Sequence, residues 1–163
     1  MRRLFALDQN FPLPIVRALA EYIVEAELVA LREIDERLTR DLDDWEVMLA
    51  LHHHRLPWDG LITTDSGILS LPRELSVLMQ TKLTLVVAEG GHDPVRATGL
   101  VLAHLPWICG KTTPERAQVW RLSTRQRPHD DPWELLRRVA EHRNEAARDL
   151  FSFYWKTRGD HDR

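Results

Sequence analysis

The run Leu83-Thr84-Leu85-Val86-Val87-Ala88 constrains the fold more than any other stretch of the chain. It is uncharged, rich in β-branched and aliphatic side chains, and too short for a helix, so it reads as a strand. Gly90-Gly91 then supplies a turn. Asp93-Pro94 opens a helix, with Asp93 as N-cap and Pro94 at the first helical position, running to about Cys109. A strand followed at once by a long helix is half of a βαβ unit, and the same alternation recurs on either side.

Residues 3–7 form a short apolar strand that stops at Asp8, and Asn10, Pro12 and Pro14 prevent the strand from continuing. Ile15, Val16, Leu19, Tyr22 and Ile23 fall at helix spacing. Residues 28–33 read as a second strand, and the charge-rich residues 35–43 as a loop or short helical turn. A helix begins near Asp44, with Trp45, Val47, Met48, Leu49 and Leu51 as its apolar residues, and ends before Pro57. Residues 60–64 read as a buried strand that stops at Asp65, residues 72–80 as a short helix, and residues 117–122 as a fifth strand at an edge. The prediction is an α/β three-layer sandwich: a mostly parallel sheet of about five strands with helices on both faces. Ligands of such sheets bind outside the carboxyl ends of the strands.

Asp131-Pro132-Trp133-Glu134 starts a last helix with a cap, a first-turn proline and an early acid. Leu136, Val139, Ala140, Ala147, Leu150, Phe151 and Tyr154 follow one face of it, interrupted by Arg143. The expectation is one domain over residues 1–125 and an amphipathic helix over 131–157 appended to it, joined by a polar link.

The chain has 163 residues, of which 44% are hydrophobic and 29% charged, which suits one globular domain with a substantial core. A net charge of −3 argues against a basic nucleic-acid binder overall, while leaving room for a local basic surface. Cys109 is the single cysteine, so no internal disulfide or cysteine-based zinc site can form; its apolar neighbours suit a buried thiol. No apolar run approaches the ~18 residues of a membrane span, and the N-terminus lacks a signal-peptide core, so a cytoplasmic setting is expected. The sequence holds no Gly-rich phosphate loop, no Gly-x-Ser-x-Gly and no Cys–His pair at catalytic spacing, which argues against dehydrogenase, kinase and serine-hydrolase chemistry.

Three acids stand at chemically suggestive places. Asp8 ends the first strand, Asp65 ends the third, and Asp44 opens the helix that leads into the third. In a parallel sheet the ends of strands one and three share an edge. Converging carboxylates hold hard cations such as Mg²⁺ or Mn²⁺, and the cation in turn acidifies water and offsets charge on a phosphoryl oxygen. Each acid also suits a structural role: Asp8 an Asx-type turn, Asp43 or Asp44 a helix cap with Glu46 closing a capping box on Asp43, and Asp65 a turn.

Leu7-Asp8-Gln9-Asn10-Phe11-Pro12, Asp44-Trp45-Glu46-Val47 and Leu61-Ile62-Thr63-Thr64-Asp65-Ser66, in that order and spacing, resemble the short motifs of the PIN-like superfamily, in the branch that includes toxin-type ribonucleases. The resemblance covers about residues 3–122. It implies a metal-dependent endoribonuclease, with Asp8, Asp44 and Asp65 as catalytic ligands of Mg²⁺ or Mn²⁺. It further implies Asn10, Glu46, Thr64 and Ser66 as supporting residues, an RNA substrate, and an antitoxin partner if the chain is one half of a toxin–antitoxin pair. Homodimers are common among such nucleases, and the last helix, which the minimal domain does not need, is expected to offer a dimer or partner surface. The chain departs from the better-known members in two places. No motif marks their further acid, although Glu33, Asp35 and Glu36 are near, and Gly67-Ile68-Leu69 replaces their acid and aromatic after the third-strand aspartate. The alternative reading is therefore a catalytically weak or inactive module that binds RNA or protein.

Two other groups stand out. His52-His53-His54 lie about 100° apart on a helix and so do not converge on one metal; they read as a solvated helix end, and His92 sits just before a helix cap. Lys111, Arg116, Arg121, Arg125 and Arg127, with Trp120 among them, match the charge-plus-aromatic pattern of single-strand RNA contacts, or else a charge-protected edge strand.

Overall fold

The structure is a computed structural model and describes residues 1–89, 92–123 and 129–159. Its strands are β1 (Arg3–Leu7), β2 (Ala26–Ala30), β3 (Gly60–Thr63), β4 (Thr84–Ala88), β5 (Gln118–Leu122) and β6 (His129–Asp130). Its helices are α1 (Leu13–Tyr22), α2 (Leu31–Ile34), α3 (Asp44–His53), α4 (Pro72–Thr81), α5 (Pro94–Cys109), α6 (Pro132–Arg143) and α7 (Ala147–Gly159). The strand order is β2-β1-β3-β4-β5-β6. The first five strands are mutually parallel, and β6 lies antiparallel on β5, pairing Val119 with Asp130 and Trp120 with His129.

The two-residue period of the strands divides the interior into two cores. Phe5, Leu7, Ile62, Val86, Ala88, Trp120 and Leu122 pack towards α1 and α5. Ala6, Leu61, Leu85, Val87 and Val119 pack towards α3, α4, α6 and α7 on the other face. The result is a three-layer α/β sandwich. The connections β3–α4–β4 and β4–α5–β5 both step one strand in the same direction, yet their helices lie on opposite faces. The two crossovers therefore have opposite hands, although parallel connections of one hand dominate known sheets.

The sheet closes tightly around Gly60. A Cβ at this position would fall 1.9 Å from the Thr84 carbonyl oxygen and 2.8 Å from the Phe5 ring, so only glycine lets β3 lie between its neighbours there.

Several expectations need correction. The second strand runs over 26–30 rather than 28–33: Ala26, Leu28 and Ala30 alternate inward, and Leu31–Ile34 already coil into α2. The fifth strand is not at the edge, because β6 covers it. The last helix is two helices. Asn144 adopts a left-handed φ of 55°, a conformation asparagine tolerates, and ends α6 immediately after Arg143. Leu135, Leu136 and Ala140 of α6 and Leu150 of α7 are buried in the same core as α4, so much of this apolar face packs within the chain. The Gly90-Gly91 turn and most of the link before β6 lie outside the described residues. Among the described residues no helix is long and apolar enough to cross a membrane.

Candidate acidic site

The parallel sheet delivers Asp8 and Asp65 to one edge, since each stands just past the C-terminal end of a strand. Asp8 is buried. Its carboxylate accepts hydrogen bonds from the Thr63 hydroxyl and from the Asn10 N–H at 2.9 Å, and the Thr64 backbone N–H also reaches it. Burial pushes the Asp8 carboxyl above the usual carboxylate range, those hydrogen bonds oppose the shift, and the charge of Asp65 adds to it. Thr63 ties the two acids together, because its hydroxyl oxygen accepts the Asp65 N–H at 3.0 Å while donating to Asp8. Asp65 is exposed, and its carboxylate accepts the Gly67 N–H at 2.8 Å, starting the 3-10 turn Ser66–Ser70.

Asp44 comes to the same edge from the other side. The chain after β2 returns so that α3 starts at the carboxyl ends of the strands, with Asp43 as N-cap and Asp44 at the first helical position. Glu46 turns back to accept the Asp43 N–H at 2.9 Å, which closes the capping box and directs its carboxylate to the cap. Asp44 is half-buried and accepts no hydrogen bond among the described residues. Its carboxyl is pushed up to about 6, first by burial and then by the charges of Asp65, Asp8 and Asp43. The three predicted acids thus share one electrostatic neighbourhood.

A fourth acid belongs to it. Glu74, in the first turn of α4, is 8% exposed, and its carboxyl is raised by burial and then by Asp44 and Asp43, with Arg73 acting in the opposite sense. Nothing in the sequence singles it out, because Pro72-Arg73-Glu74 looks like any helix start with an early acid. The acids near the missing motif are engaged elsewhere: Glu33 lies 4.0 Å from Arg17, Asp35 pairs with Arg37 at 2.6 Å and Glu36 with Arg40 at 3.5 Å.

Asn10, Thr64, Asp65 and Ser66 line a cleft of about 480 Å³, together with His92, Asp93 and Pro94 at the start of α5. The expected basic strip is divided. Lys111, whose ammonium lies 6.0 Å over the Trp107 ring, and Arg116 precede β5 and so sit at the opposite edge of the sheet. Arg121 reaches the acid edge but pairs with Glu89 at 2.7 Å and Asp130 at 3.7 Å. Arg125 and Arg127 lie outside the described residues. The histidines are at the far end of α3, where His54 Nδ1 accepts the Trp58 indole N–H at 3.0 Å. Cys109 is buried, and its thiol is pushed up to about 11, chiefly by burial.

The donor chemistry fits a hard divalent cation: all four groups are carboxylates, and among the described residues the half-buried Asp44 has no hydrogen-bond donor to offset its charge. Among the described residues no three His, Cys, Asp or Glu side chains converge closely enough to share an ion. A cation held here would have to keep much of its water and take only one or two carboxylates directly. Comparison with known proteins returned no match to a family model, to a curated protein or to a solved structure.

Proposed function

We propose that this chain is a PIN-like, metal-dependent endoribonuclease whose site is the acidic edge formed by Asp8, Asp44, Asp65 and Glu74. One observation carries the reading: Asp44, held on a helix start, is pushed up to about 6 by burial together with Asp65 and Asp8 from two separate strand ends. Carboxylates drawn into mutual repulsion, as Asp44 is by Asp65 and Asp8, are what a divalent-ion site requires.

One or two of Asp8, Asp44 and Asp65 would hold Mg²⁺ or Mn²⁺ directly, and the remaining acids, Glu74 among them, would act on it through its water. When bound, the cation supplies Lewis acidity to a ligated water and counter-charge to a phosphoryl oxygen. The chain's own residues do the rest. Thr63 fixes the Asp8 carboxylate through its hydroxyl and so sets its direction. Asn10, Thr64 and Ser66 line the cleft beside Asp65 and offer polar groups to a phosphodiester. The alternative, a non-catalytic binding module, draws on the missing fourth acid, and Glu74 stands in that role.

Calorimetric titration with Mn²⁺, paired with cleavage of a single-stranded RNA, tests the proposal. Saturable binding and cleavage, both lost in Asp8→Asn with Asp65→Asn, are expected. A wild-type protein that binds no Mn²⁺ at millimolar concentration sinks the nuclease reading and leaves a scaffold that works through its surfaces.

A further inference from the structure

One cation stands beside Glu74 and pairs with none of the four acids. Arg73 occupies the second position of α4, next to Glu74. Its guanidinium carbon lies 5.0 Å from the centre of the Trp45 ring, on α3, and 4.9 Å from that of the Tyr154 ring, on α7. Among the described residues no hydrogen bond or ion pair holds it. An arginine next to several carboxylates would ordinarily form a bidentate pair with one of them. Here two aromatic rings grip the group instead. Stacking uses the guanidinium's face and leaves its in-plane N–H donors available. The charge of Arg73 acts on the Glu74 carboxyl, which places the guanidinium beside that member of the acidic edge.

We propose that Arg73, clamped between Trp45 and Tyr154, is the phosphate-binding residue of this site and receives the backbone of a single-stranded RNA. The inference rests on the nuclease reading of the acidic edge. A planar fork of donors matches two oxygens of a phosphodiester. Fixing that fork by stacking removes the side-chain entropy that a free arginine loses on binding. The clamp also gives α7 a part in the site, because Tyr154 supplies one of the two rings.

The test is Mn²⁺-dependent cleavage of a short single-stranded RNA over a salt series, with thermal melting of every variant. Arg73→Gln is expected to raise KM about tenfold and leave kcat little changed. It should also make the dependence of log KM on log salt shallower by about 0.7, the share of one phosphate contact on a single strand. Arg73→Lys keeps a charge and should retain the slope while binding several-fold more weakly. Tyr154→Ala should weaken binding and also keep the slope. If Arg73→Gln leaves KM and the slope unchanged, the inference is overturned and the nuclease reading stands, whether or not the melting temperature moves. If the wild-type protein neither binds nor cuts RNA, both fall together.

Discussion

Asp44 holds its proton more tightly folded than unfolded, since its carboxyl rises from the usual range near 4 to about 6. Folding therefore takes up a proton between about pH 4 and pH 6, and the stability contribution of this group falls as pH rises across that window. Asp44→Asn should remove that dependence and stabilise the metal-free protein near neutral pH by roughly 1 kcal/mol, once its partial exposure is allowed for. Denaturant melts across the window check this; an unchanged pH slope would show that Asp44 is not strained by its neighbours. The same residue separates what is legible in the sequence from what is hidden. Asp8 and Asp65 are legible because each ends an apolar run, and Asp44 because it opens an amphipathic one. Thr63 and Glu74 are not. Thr63 reads as one more strand residue until β3 is laid beside β1, and Glu74 becomes a buried acid only when α4 packs on α3. Period and punctuation report local structure, whereas burial of a helix's first turn is decided by its neighbour.

At the scale of elements, β3 fits between its neighbours with no room for a side chain at Gly60. Gly60→Ala would press a methyl group against the Thr84 carbonyl, which is backbone and has no rotamer to yield. The expected cost is about 3 kcal/mol or more, seen as a lower denaturant midpoint or as loss of folded protein; a near-neutral effect would mean that the β3–β4 pairing can widen. Local sequence carries no warning of this, because Gly60 reads simply as the first residue of the buried strand 60–64. Element existence is legible for β1, β3, β4, α4 and α5, where pattern and caps agree. The register of β2 is not, since Leu28-Val29-Ala30-Leu31 is apolar throughout and only pairing with β1 from Arg3 to Leu7 fixes where the strand stops. The break at Asn144 falls inside the polar run Glu141-His142-Arg143-Asn144-Glu145, which the solvent side of a continuous helix would equally carry.

At the scale of the molecule, α6 and α7 close the face that α3 and α4 leave open. Leu135, Leu136, Ala140 and Leu150 join Leu75, Leu78 and Val119 in one core. A chain ending at residue 125 should accordingly lose cooperative unfolding and expose apolar surface to a hydrophobic dye. Retention of a sharp transition at the full-length temperature would show that the first 125 residues are self-sufficient. Opposite poles of the sheet also do different work: the carboxyl edge gathers acids, while Lys111 and Arg116 stand at the other, a separation invisible in a linear count of charge.

Of the two rings around Arg73, Tyr154 is synthesised second. Asp8, Asp44, Trp45, Asp65 and Glu74 all precede it by about eighty residues or more. A nascent chain therefore carries every acid of the edge while its arginine is gripped on one side alone. The second ring arrives only when translation has passed Tyr154, so the order of synthesis itself places the acids ahead of the arginine's full set of aromatic neighbours.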